Sequence, residues 1–145
     1  GTPIIAVEGG VIEEMGWNQY GGWRIGIRSL DSHRYYYYAH MRKDFPYKTG
    51  LAVGSKVKAG DVIGYMGRTG YSIKETVNGM NQTHLHFGMQ LIFDESQKDC
   101  LAEIWIDVYE IVNLLSPYRS AVVKDETKNY NRVYDFNDLS FVPRD

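Results

Sequence analysis

The chain has 145 residues, 43% of them apolar and 23% charged, with sixteen basic residues against eighteen acidic and a formal charge of −2. That length suits one domain with a buried core, and the composition is globular rather than disordered or fibrous. No basic run provides a footprint for nucleic acid, nothing approaches the ~20 continuous apolar residues of a membrane-crossing helix, and the lone Cys100 excludes an internal disulfide.

Fifteen glycines and twelve tyrosines favour short strands joined by tight turns. Thr2–Val7 is an extended apolar segment that Gly9-Gly10 turns into a strand over Val11–Met15. Gly16–Gly22 reads as a loop, after which Trp23, Ile25 and Ile27 alternate with Arg24, Gly26 and Arg28, so one face points inward and one outward. Asp31-Ser32 makes a hairpin turn into the tyrosine-rich strand Arg34–His40. Two glycine turns bracket a short Val-Lys segment in Gly54–Gly64, and further strands are expected at Val62–Met66 and His84–Phe93. Tyr71–Thr83, polar and containing Asn78-Gly79, reads as a long surface loop of the kind that serves as a lid or binding loop.

After Asp94 the pattern changes. Ile104, Val108, Ile111, Val112 and Leu115 recur at helical spacing, which predicts an amphipathic helix over Trp105–Leu115, ended by Ser116-Pro117. The remainder is polar, with Tyr130, Tyr134, Phe136, Leu139 and Phe141 as sparse anchors. The expected fold is therefore mainly β, an antiparallel sheet with one C-terminal helix. Its domain spans 1–120, and a polar tail covers 121–145.

Three of the four histidines fall in strand-like segments. His84 and His86 are two apart, so in a strand both imidazoles share one face, where a metal or a reactive water could sit. His40 closes the run Tyr35-Tyr36-Tyr37-Tyr38-Ala39-His40, and period two puts Tyr36, Tyr38 and His40 on one face and Tyr35, Tyr37 and Ala39 on the other. One of these faces packs on the core, and the other is free to line a groove. His33, after Asp31-Ser32, reads as a solvated turn residue, and Cys100 has no histidine near it in sequence.

Taken in order, Gly1-Thr2-Pro3-Ile4 with Val7 and Gly10, Tyr38-Ala39-His40-Met41, Val53–Gly70 and His84-Leu85-His86-Phe87 resemble the lysostaphin/LytM-type zinc metallopeptidases of bacterial cell walls. Asn113 and Pro117-Tyr118 are similar to the family's closing segment. The resemblance implies a small β-sheet fold with a groove, related to the barrel-sandwich hybrid (duplicated hybrid motif) domains of biotinyl and lipoyl carriers. It makes His86 a zinc ligand and His40 and His84 the catalytic residues beside the Zn2+. Catalytic zinc generally takes three protein ligands and a water of lowered pKa, and an imidazole beside it can accept that water's proton or stabilise the oxyanion. Tyr36, Tyr38 and Asn81 are the candidates for the substrate groove.

The sequence also departs from the family's pattern. The family's other two zinc ligands come from a His-x-x-x-Asp motif preceding the Gly-Thr-Pro segment, with which these residues begin; His33 has no aspartate four residues later, and His40, four before Asp44, is already the histidine of the Tyr-Ala-His piece. With one ligand in place of three, the chain by itself is expected to bind zinc weakly and to be inactive. Thr83 stands where proline often precedes His-Leu-His, and Tyr71–Gln82 is an insertion that reshapes one groove wall.

The expected function is hydrolysis of peptide bridges or stem peptides of peptidoglycan, which implies an extracytoplasmic location in the envelope or secreted. The alternative is a degenerate, non-catalytic relative that binds peptidoglycan or a partner protein. A carrier domain is disfavoured, because Lys56 and Lys58 lie in the wrong part of the turn for a modified lysine.

Overall fold

A computed structural model describes residues 1–98 and 102–135. The strands are β1 (Pro3–Ile5), β2 (Gly10–Asn18), β3 (Gly22–Ser29), β4 (Arg34–Ala39), β5 (Lys56–Val57), β6 (Val62–Tyr65), β7 (His86–Leu91), β8 (Ile104–Trp105), β9 (Val122–Lys124) and β10 (Tyr130–Arg132). One helix is described, α1 (Tyr109–Leu115). Six strands form an antiparallel sheet in the order β5-β2-β3-β4-β7-β8, and β1-β6 and β9-β10 are separate two-stranded sheets. The mainly β, antiparallel architecture expected from the sequence is the one observed.

Register explains the core. Ile25, Tyr38 and Phe87 lie opposite one another across β3, β4 and β7, as do Ile27, Tyr36 and Met89. These rows pack with Ile4, Ile12, Met41, Val57 and Ile63 on one side of the sheet. In β2, strict alternation from Ile12 would turn Glu14 inward. A bulge between Ile12 and Glu14 absorbs one residue instead, so Met15 pairs with Ile25 and packs on the core. Glu13 and Glu14 are thereby left for Arg28 and Arg24 on the opposite face.

Several elements differ from the sequence reading. Strand β2 runs on to Asn18, because Gly16, Trp17 and Asn18 pair with Arg24, Trp23 and Gly22. The loop expected at Gly16–Gly22 is therefore reduced to a tight turn, in which Asn18 Oδ1 accepts the Tyr20 and Gly21 N–H groups. The helix is also shorter than its apolar periodicity suggested. Ile104 and Trp105 pair with Leu91 and Gln90 as a sixth strand, so the helix begins only at Tyr109. Sheet pairing here overrides helical periodicity, and no residue of α1 is buried.

The segment expected to be a polar tail contains the β9–β10 hairpin, which docks on β6. Asn129 is buried, its side chain accepting the Thr49 N–H at 3.0 Å, and Tyr130 N–H donates to the Tyr65 hydroxyl at 3.0 Å. Cys100 and the anchors Phe136, Leu139 and Phe141 lie outside the described residues.

Candidate active site

Strand β4 ends at Ala39, directly opposite His86 on β7. The next residue, His40, takes φ +57°, a left-handed conformation that costs a non-glycine residue roughly 1–2 kcal/mol. Its backbone is held on both sides, with its N–H donating to Gly21 C=O at 2.8 Å and its C=O accepting from Gly67 N–H at 3.0 Å. This reversal breaks the strand alternation. His40 leaves the face it would share with Tyr36 and Tyr38, and its ring lies 4.9 Å from the His84 ring and 5.5 Å from that of His86. His84 precedes β7 and pairs with Gly67 through its backbone. The fold thus brings His40, His84 and His86 together, while His33 sits exposed in the β3–β4 turn.

The tautomers of two rings follow from their neighbours. His40 Nδ1 lies 2.7 Å from the Thr69 carbonyl, and His84 Nδ1 lies 2.9 Å from that of Gln82. A carbonyl only accepts, so each Nδ1 carries the proton and Nε2 is left as the available nitrogen. Burial pushes the His40 imidazole below its usual range, partly offset by the Thr69 carbonyl, and His84 and His86 lower it further. His86 is lowered too, first by partial desolvation and then by His84. Both rings are therefore neutral at neutral pH.

A linkage consequence follows from these shifts. A histidine whose folded pKa is depressed takes up protons in the unfolded state first, so stability is lost as pH falls below the unfolded value of about 6.5. The denaturant midpoint is expected to drop between pH 7.5 and pH 5.5, and to drop less in His40→Gln. Carboxylate losses come later, since Asp31 has its pKa held at about 2 by the Ser29 hydroxyl. An unchanged midpoint across this window would contradict the assignment.

Thr69 is the residue that sequence reasoning missed. It is fully buried, and its hydroxyl donates to Met41 C=O at 2.5 Å while accepting Trp23 N–H at 3.1 Å. The side chain therefore ties the start of β3 to the residue after His40, and its own carbonyl orients the imidazole. Tyr71, at the start of the long loop, stacks on His40 at 6.1 Å and meets Tyr20 edge-on. The loop itself carries no strand or helix, as its composition predicted.

Two of the three groove candidates are corrected. Tyr36 and Tyr38 are 5% and 2% exposed and belong to the core. Their hydroxyls are satisfied there, Tyr38 accepting Val7 N–H at 2.9 Å and Tyr36 donating to Glu8. The opposite face of β4 lines the groove: Tyr37 meets the His86 ring edge-on at 5.6 Å, and Tyr35, buried and opposite Gln90, lies further along with its hydroxyl on Glu14. Period two separated the two faces correctly, but it does not say which one joins the hydrophobic core. Asn81 is exposed on the loop before His84.

Whether these residues hold zinc can be tested on their chemistry. Imidazole suits zinc, yet among the described residues no three His, Cys, Asp or Glu side chains are grouped so as to hold a metal ion. Nδ1 of both His40 and His84 is committed to a carbonyl. The described residues therefore do not make a complete zinc site on their own.

An antiparallel sheet brings three histidines together beside an aromatic groove, and comparison with known proteins gives the class of this domain. The sequence pattern of peptidase family M23, a metallopeptidase family, matches residues 1–99, and the chain belongs to that family. It is 42% identical over 89 residues to the L-Ala–D-Glu endopeptidase of Bacillus subtilis (strain 168), covering 61% of this chain and 26% of that protein. It is 40% identical over 88 residues to lysostaphin of Staphylococcus simulans, covering 60% of this chain and 15% of that protein. The chain thus spans about a quarter or less of these relatives. Among solved structures, lytM of Ruminococcus gnavus ATCC 29149 is similar with a TM-score of 0.65 and 37% identity, over 81% of this chain and 42% of that one. The catalytic domain of S. simulans lysostaphin is similar with a TM-score of 0.56 and 33% identity, over 78% and 71%.

Proposed function

We propose that this chain is the catalytic-histidine portion of a zinc endopeptidase that hydrolyses bridge or stem peptides of bacterial peptidoglycan, outside the cytoplasmic membrane. The observation that carries the reading is the clustering of His40, His84 and His86, with Nε2 left available on the first two. In this reading His86 is a zinc ligand whose partner ligands come from outside the described residues. His40 and His84 bind the reacting amide. A neutral ring accepts a proton at Nε2, and a protonated one donates to the developing oxyanion. Burial favours the neutral form of His40 and suits it to the accepting role. The relatives' names support the substrate class, since one is an L-Ala–D-Glu endopeptidase and another a glycyl-glycine endopeptidase.

The test compares the 145-residue chain with the same chain extended at its N-terminus by a His-x-x-x-Asp segment of the family's kind. After dialysis the 145-residue chain is expected to hold well under one zinc and to leave bridge peptides intact. The extended chain is expected to hold one zinc and to cleave them. Stoichiometric zinc and cleavage by the 145-residue chain would overturn the incomplete-site reading. An extended chain that loads zinc and cuts nothing would favour a non-catalytic domain that binds peptidoglycan or a partner protein.

A further inference from the structure

The groove that begins at His86 does not end there. It encloses about 470 Å³ and runs along the β4–β7 face to a wall made by β8, which lies beyond the residues matched by the family pattern. Trp105 forms that wall. A Cβ placed on Gly88 would come within 2.7 Å of its Cζ3, so the indole packs on bare backbone that no other residue type would leave open. Tyr37 stands edge-on between the indole, at 6.5 Å, and the His86 ring, at 5.6 Å, and joins the wall to the histidine cluster. Trp105 is nevertheless 47% exposed, an expensive placement for so large an apolar side chain.

The charges around this wall are unevenly matched. Arg24 pairs with Glu14, which also accepts the Tyr35 hydroxyl at 3.0 Å, and Lys98 pairs with Glu13 at 2.7 Å. Glu103 remains. One of its oxygens accepts the Trp105 indole N–H at 2.8 Å, and no cation lies within ion-pair distance of it among the described residues. That hydrogen bond fixes a carboxylate beside an exposed indole. A fixed anion next to an open aromatic face attracts an ammonium group, through Coulomb attraction and the negative ring quadrupole together.

We propose that Trp105 and Glu103 form a subsite for a protonated amine, as carried by a lysine-type or other diamino residue of the peptide substrate. The inference rests on the functional reading above for what the peptide is, and on the groove alone for what the subsite selects. A carboxylate-bearing residue is disfavoured at the same place, because Glu103 would face it unneutralised.

The test uses the 145-residue chain, labelled with 15N, and two probes that differ at one side-chain end: N-acetyl-Ala-Lys-Gly amide, which carries the ammonium, and its uncharged analogue with norleucine in place of lysine. The charged probe is expected to bind about tenfold more tightly and to shift the Trp105 indole resonance, identified by its loss in Trp105→Phe. Glu103→Gln is expected to bring the two affinities within about twofold of each other, and as an exposed substitution it leaves the fold intact. Equal affinity of the two probes for the wild-type chain would overturn the subsite. So would an unchanged preference in Glu103→Gln, or no binding of either probe. Turnover by the extended, zinc-loaded chain is scored separately. Cleavage without amine preference defeats the subsite alone, whereas amine preference without cleavage defeats the endopeptidase reading and leaves the subsite standing.

Discussion

His40→Ala in the zinc-loaded, extended chain is expected to lower kcat by about 10²–10⁴-fold, the usual contribution of a positioned acid or base, while zinc content stays near that of the parent. The asymmetry arises because His40 Nδ1 is committed to the Thr69 carbonyl and the proposed zinc ligand is His86. His40 is buried, so its loss also opens space and frees the Thr69 carbonyl. His40→Asn, which keeps a polar donor at that carbonyl, separates the two effects. Loss of turnover in both variants with near-native melting supports the assignment. A kcat within threefold of the parent, or loss of the metal along with activity, would remove His40 from the proton-transfer role.

Thr69→Val is the second change with a large expected effect. Valine has nearly the shape of threonine but neither donates nor accepts, so Trp23 N–H and Met41 C=O lose their partner inside the protein. Each such orphan costs about 1–3 kcal/mol, and the pair should cost about 2–4 kcal/mol of stability by denaturant titration. Because Met41 directly follows His40, the chain reversal that aims the imidazole loosens as well. The kinetic signature of a positioning residue is a fall in kcat with KM nearly unchanged, together with loss of the Nδ1-protonated tautomer of His40 in nitrogen-detected spectra. Thr69→Ser keeps the hydroxyl and should restore most of both. If valine and serine behave alike, the hydroxyl does not position His40.

These two residues also mark how far the sequence could be read. His40, His84 and His86 stood out because imidazoles are few and because His84 and His86 are two apart. Their convergence on one face needed only strand geometry for that pair. His40 needed more, since its strand ends one residue earlier and the left-handed turn carries it across. Thr69 offered no signal, as a threonine between Arg68 and Gly70 looks like any turn residue until β3 and β4 close around it. Tyr36 and Tyr38 show the same limit from the other side. Alternation sorted four tyrosines into two pairs, and only the packing of Ile25, Ile27 and Phe87 decided which pair joined the hydrophobic core.

The apolar repeat after residue 104 illustrates competition between levels. Its spacing is helical, yet Ile104 and Trp105 are drawn into β8 by the open edge of β7. Intrinsic periodicity is a sum of weak local preferences, and a sheet edge with unpaired backbone groups outbids it. The polar segment after residue 121 was underestimated for a related reason. A few residues such as Asn129 and Tyr130 can dock a hairpin when their partners, Thr49 and Tyr65, come from far along the chain.

The sequence by itself determined the β-rich class and the family, and it singled out the three histidines that the fold brings together. All of these depend on spacing along the chain, which residue order specifies directly. Only the tertiary structure decided which face of β4 is core, how His40 reaches His84 and His86, and that an exposed tryptophan with a fixed carboxylate closes the groove. Those outcomes depend on which surfaces are removed from water and on which buried polar groups find partners. Both are properties of the assembled sheet rather than of any segment within it.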